Sequence, residues 1–221
     1  MQNQTAGRRF HGGILIALLA ADAGFVAAHL IGEWLTPDRD VWKMLSIFYD
    51  RSFPEMFGYL KWIATAVLLV MAGRRLEQPV LYWLAALVTF MLLDDSLRLH
   101  ENLAGWLRES FTLPRIAGLR EQDSGELIFA AGFVVLLLLP LILRILRSDL
   151  AGQRMAVGFL VLLVLFGLCA VVFDMLHSAM PDGWMRESMG FLEDGGEMIA
   201  QSLMVAYAWV LARPGDATRP A

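Results

Sequence analysis

Residues 127–145 read Leu127-Ile-Phe-Ala-Ala-Gly-Phe-Val-Val-Leu-Leu-Leu-Leu-Pro-Leu-Ile-Leu-Arg-Ile145, with a single charge, Arg144, near the end. A helix of about 20 mostly apolar residues crosses a hydrocarbon core of about 30 Å. Outward from this stretch, comparable runs recur at Gly13–Leu35, Met56–Gly73, Pro79–Leu99, Met155–Met180 and Leu192–Ala212. The 221-residue chain is 57% hydrophobic and only 18% charged, with a mean hydropathy of +0.56. A soluble domain carries about 25% charge. The expectation is an all-α, polytopic membrane protein with six transmembrane helices, forming a single transmembrane domain over residues 1–221.

This composition excludes a soluble enzyme, a disordered tail and a disulfide scaffold. The net charge of −4 offers no basic patch for nucleic-acid phosphates, so the expected partner is the lipid bilayer. Cys169 stands alone in an apolar run and forms no intramolecular disulfide. The first span follows Arg8 and Arg9, yet it is long and lacks a small-residue cleavage signal, so it reads as a retained anchor. Arg74, Arg75, Arg144, Arg147, Arg154, Arg213 and Arg219 flank the spans on one side. The positive-inside rule places that side in the cytoplasm, with both termini, and the chain in the cell inner membrane. On this side stand only Glu77, Asp149 and Asp216 among the acids, and Asp22 lies within the membrane. The remaining acids gather at or beyond the outer ends of the helices.

Two stretches are alike. Phe90-Met-Leu-Leu-Asp-Asp-Ser-Leu-Arg-Leu-His100 leads to Gly105-Trp106 and then to Gly125-Glu-Leu-Ile128. Phe173-Asp-Met-Leu-His177 leads to Gly183-Trp184 and then to Gly196-Glu-Met-Ile199. Each runs acid, Leu-His, Gly-Trp, Gly-Glu, although the spacings differ. If the likeness is a duplication, spans three to six are two copies of one helical hairpin, related by an axis along the membrane normal.

That arrangement brings His100, Glu101, Glu126 and Asp94 or Asp95 of one hairpin to the same depth as Asp174, His177, Glu193 and Glu197 of the other. Two imidazoles and about four carboxylates from a helical bundle are the ligand set of di-metal carboxylate proteins. Asp174 and His177 are i, i+3; Glu193 and Glu197 are i, i+4. The candidate ligands are His100, Glu126, Asp174, His177, Glu193 and Glu197, holding a divalent metal ion: iron, manganese or zinc. The metal would serve chemistry on a lipid or other hydrophobic substrate, either activating oxygen or lowering the pKa of a bound water, with Asp94 or Glu101 as base. In a regular helix His100 points about 100° from the stripe of Asp94, Arg98 and Glu101, so either the helix unwinds there or two sites exist. The plainer reading of each acid is a solvated helix cap.

In span one, Asp22, His29 and Glu33 share a face, and Asp22 is costly at that depth unless it has a partner. Lys61 either snorkels or pairs with one of these acids. This stripe supports an alternative, a proton- or cation-coupled transporter or sensor; a structural subunit of a larger membrane complex is a third. Pro140 is expected to kink span four. The runs Val134–Leu139 and Val161–Phe166 are expected to carry no chemistry. Trp34, Trp42, Trp62, Trp106 and Trp184 fit interfacial anchors.

The motifs Asp94-Asp95-x4-His100-Glu101 and Glu193-Asp194-x2-Glu197-Met198, with Phe53-Pro54, resemble those of an uncharacterised family of bacterial multi-pass membrane proteins. That family carries Asp-Glu-x4-His-Glu at the end of one span and Glu-Glu-x2-Glu-Met at the start of another. Here Asp95 and Asp194 stand where Glu is usual. The resemblance implies a shared site and supplies no reaction.

Overall fold

The computed structural model describes residues 2–113 and 121–213, with the side chains of residues 2–11, 121 and 123 outside the description. The flanking charges Arg8, Arg9, Asp216 and Arg219 are among those left out. The described residues are helical, without strands.

Five helices are long and apolar enough to cross a membrane: Gly12–Leu35, Phe53–Leu76, Pro79–Leu97, Ser124–Leu146 and Leu150–Ala179. They match five expected spans to within a few residues. The sixth long helix, Trp184–Ala212, packs among them but carries Glu187, Glu193, Asp194 and Glu197 in its first half. In chain order the elements are α1 (Gln2–Leu35), α2 (Arg39–Leu45), α3 (Phe53–Leu76), α4 (Pro79–Leu97), α5 (Leu99–Ser110), α6 (Glu121–Phe133), α7 (Leu139–Leu146), α8 (Leu150–Gly167), α9 (Asp174–Ala179) and α10 (Trp184–Ala212). A π-helical turn, Val134–Leu138, joins α6 to α7, and another, Leu168–Phe173, joins α8 to α9.

Local chemistry sets the boundaries. Asp38 caps α2, accepting from the N–H groups of Asp40 and Val41. Ser52 caps α3 ahead of Pro54, and Asp149 caps α8 by accepting from Gly152 N–H at 2.8 Å. Glu77 ends α3 in the left-handed region (φ 53°), and Pro79 starts α4 directly, which gives a tight antiparallel hairpin. Pro140 lacks an N–H and crowds the carbonyl four residues back, so the ladder widens into the π turn just before it. The kink expected at Pro140 takes this form.

The packed unit differs from the expected bundle of spans three to six. It is α3, α4, α8 and α10, with α10 central and α1 docked on its outer side. Its core holds Trp62, Leu69, Leu81, Leu84, Val88, Phe159 and Met204, all fully buried. The reason lies in residue size. α3 offers Gly58, Thr65, Ala72 and Gly73, so Gln201 and Tyr82 come within close contact of glycine backbone. The α6–α7 run is bulky and broken by its π turn, and it is held at its two ends, to α5 at one and to α4 and α8 at the other.

An acidic cleft between the helix ends

α4 stops at Arg98, which takes the left-handed conformation (φ 52°), and α5 begins again at Leu99. Of the two alternatives, unwinding or two sites, the helix unwinds here. It swings His100 back, so that both its backbone N–H (2.9 Å) and its Nδ1–H (3.1 Å) donate to Asp94 Oδ1. Asp95 takes a different partner, accepting from Trp62 Nε1 at 2.8 Å. Trp62 is therefore no interfacial anchor: it is fully buried against Phe166 (ring centroids 5.0 Å) because its N–H has a carboxylate to reach. Trp34, Trp106 and Trp184 are exposed, as anchors are.

α5 folds against α6, where Gly125 lets the backbone of Ala104 approach closely. Gln122 on α6 donates to Glu126 (3.0 Å) and to the carbonyl of Glu101. Arg98 bridges Asp50 (3.2 Å) and Glu101. On the far wall, His177 Nδ1–H donates to Glu193 at 2.7 Å. Gly196 of α10 passes close to Cys169, as Gly125 does to Ala104, so each Gly-Glu pair sits where two segments nearly touch.

Between these walls lies one open cleft of about 1760 Å³. Asp94, His100, Glu101, Glu126, Asp174, Glu193 and Glu197 all line it, so the two hairpins do meet there. His177 does not line it. That imidazole stands behind Glu193, beside Phe48 and Gly190, and reaches the cleft only through the carboxylate. Asp50, Glu55, Asp95 and Asp194 join the lining, which among the described residues brings its carboxylates to ten against two guanidinium groups, Arg98 and Arg108. Asp50 and Glu55 carried no pattern in the sequence; the one signal was Glu55 just after the Phe53-Pro54 lead-in. The runs Val134–Leu139 and Val161–Phe166, expected to be inert, supply Val134, Leu138, Leu163, Val164 and Phe166 to the wall.

Two carboxylates stand out. Among the described residues Asp194 and Glu197 have no hydrogen-bond or ion-pair partner, although both line the cleft. Asp95, Asp174, Asp194 and Glu193 lie near enough to Glu197 to act on it electrostatically. Among the described residues no three His, Cys, Asp or Glu side chains converge on one point closely enough to hold a metal ion, so coordination requires these side chains to rotate inward.

The stripe on α1 goes elsewhere. Lys61 Nζ donates to Asp22 Oδ1 (2.5 Å) and to the carbonyl of Met198 (2.9 Å), and Ser202 donates to Asp22 Oδ2 (2.6 Å). Lys61 thus pairs and does not snorkel. His29 shares a 2.8 Å hydrogen bond with Ser46 and is boxed by Phe48, Phe191 and Trp42. Glu33 is exposed. None of the three lines the cleft.

A family model, described as a domain of unknown function (DUF8692), matches residues 13–211. No curated protein and no solved structure matches the chain.

Proposed function

The chain belongs to that family, and we propose that it is an integral membrane metalloprotein whose acidic cleft holds a divalent cation (iron, manganese or zinc) for chemistry on a hydrophobic, bilayer-resident substrate. The observation that carries this reading is the pair Asp194 and Glu197, unpartnered carboxylates in the cleft with three further acids close by. An unpaired buried carboxylate costs several kcal/mol, and like charges packed together add to that cost. A divalent cation among them turns repulsion into coordination. Carboxylate oxygens with imidazole suit iron, manganese and zinc.

In this reading Asp174, Glu193, Asp194 and Glu197 rotate toward the ion from one wall, and Glu126 and His100 approach from the other. His177 orients Glu193 by hydrogen bond, the role an imidazole–carboxylate pair plays around bound metals. Glu101 is the candidate base; Asp94 is held by His100. Trp184–Ala212 crosses the bilayer as a sixth span, and both termini lie in the cytoplasm of a bacterial cell.

The test is metal content of the detergent-purified protein, equilibrated with iron, manganese or zinc and then desalted. Stoichiometric metal is expected in the wild type, and its loss in the Asp194→Asn/Glu197→Gln double variant. A metal-free wild type, or a double variant with full metal content, overturns the reading.

A further inference from the structure

The cleft continues past its carboxylates as an apolar arm. From Phe133 to Ile142 on one side and from Leu160 to Val172 on the other, no charged residue lines it. At ~1.5 Å per residue the wall from Glu126 to Ile142 covers roughly 24 Å, most of a hydrocarbon core of about 30 Å. This arm opens sideways. Val134, Val164, Leu168 and Val172 line the cavity, yet they are 50%, 70%, 43% and 44% exposed. The π turn on one side of the gap buries no residue, while α6 and α7 at its two ends are held to neighbouring helices. The result is a slot open sideways along its length, with the α5–α6 contact at the carboxylate end and the contacts of α7 with α4 and α8 at the other.

We propose that this slot admits from the bilayer an amphiphile with a protonated amine headgroup and a long hydrocarbon tail, the head among the carboxylates and the tail along Val134–Ile142. The proposal rests on the cleft being the working site described above and names its substrate class. The sign of the headgroup follows from charge: among the described residues ten carboxylates face Arg98 and Arg108, and Arg98 is already engaged by Asp50 and Glu101. One divalent cation, with protons on several acids, still leaves the mouth negative. An anionic phosphate or carboxylate head is repelled there. The volume also exceeds the roughly 300–1,000 Å³ of sites for compact small molecules, as a long-tailed ligand requires.

Equilibrium binding of labelled hexadecylamine, hexadecanoate and hexadecyl phosphate to the full chain in lipid nanodiscs tests this. The amine is expected to bind at least tenfold more tightly than either anion. Gly167 lines the arm, and a Cβ there meets nothing within 4 Å, so Gly167→Leu has room to enter the slot. It is expected to weaken hexadecylamine about tenfold and to leave metal content unchanged. Asp50→Asn/Glu55→Gln, at the mouth and outside the proposed set of metal ligands, is expected to narrow the preference for amine over anion. Equal or tighter binding of the anions overturns the proposal, and so does unaltered amine binding in Gly167→Leu together with an unaltered preference in the mouth variant. A metal-free protein that still selects the amine overturns the metal reading alone. A metal-loaded protein without amine preference overturns this proposal alone.

Discussion

His100 shows how one backbone break sets the chemistry of a side chain. Burial alone pushes its imidazole below the usual value, but the hydrogen bond to Asp94 and the charges of Asp94, Glu101 and Glu126 outweigh burial and hold it above. A histidine raised on folding adds stability that is fully present below the usual value of about 6.5 and is lost as pH rises through the folded value. Wild-type thermal stability is therefore expected to fall across that window more steeply than the stability of His100→Gln. Asp94→Asn removes both the bond and the nearest charge, leaves burial in place, and should carry the His100 titration downward in an NMR experiment. A titration unmoved by Asp94→Asn would assign the shift to the other acids. Asp94 and Asp95 could not be told apart in the sequence, because their roles follow from partners distant in the chain: a histidine beyond the break for one, Trp62 of α3 for the other.

The elements were legible to different degrees, for physical reasons. Apolar length marks a span, so α1, α3, α4, the α6–α7 run and α8 were evident at once. The end of α4 was not. Ser96-Leu97-Arg98-Leu99 contains neither Gly nor Pro, and Arg98 takes a left-handed conformation that sequence rarely announces. Packing partners were also hidden, since apolarity tells a helix to enter lipid without telling it which neighbour to touch. α1 is a case in point: it is mostly exposed and is tied to α3 and α10 through Asp22, Lys61 and Ser202. Removing one member of a buried pair leaves the other charge stranded, at about 3–5 kcal/mol. Asp22→Asn is thus expected to lower the unfolding midpoint sharply, and Asp22→Asn/Lys61→Met to recover much of the loss. Additive losses in the double variant would deny the pairing its role as the pin of α1. At the α5–α6 contact, a Cβ on Gly125 would lie 2.8 Å from the Cα of Ala104. Gly125→Ala must push the helices apart, an overpacking cost of about 1–3 kcal/mol, seen as a lower thermal midpoint in detergent.

Across the whole molecule, acids from both hairpins were expected at one level, and the cleft does collect them; its apolar arm was invisible because Val134–Leu139 reads as plain lipid-facing sequence. The resulting body has a well-packed side, α3, α4, α8 and α10, and a loosely held side at the π turn. The loose side carries the opening, whereas most of the carboxylates stand on α3, α4 and α10 across the cleft from it, so stability and function pull against each other around the cleft. Asp194 and Glu197 have no partner within the described chain, and their mutual repulsion, with that of Asp95, Asp174 and Glu193, opposes the closed bundle whenever no cation is present. Glu197→Gln removes one of these charges and keeps the side-chain shape. In metal-free protein at pH 8 it should stabilise the fold by roughly 1–2 kcal/mol, less than a fully buried stranded charge costs because Glu197 is half-buried, and raise the thermal midpoint by a few degrees. Added divalent cation should then stabilise the wild type and leave Glu197→Gln nearly unchanged, because ligand binding to the folded state adds stability only where the site survives. A Glu197→Gln protein that melts lower than the metal-free wild type would mean that the carboxylate has a favourable role in the empty fold, and the cation would lose its reason to bind there.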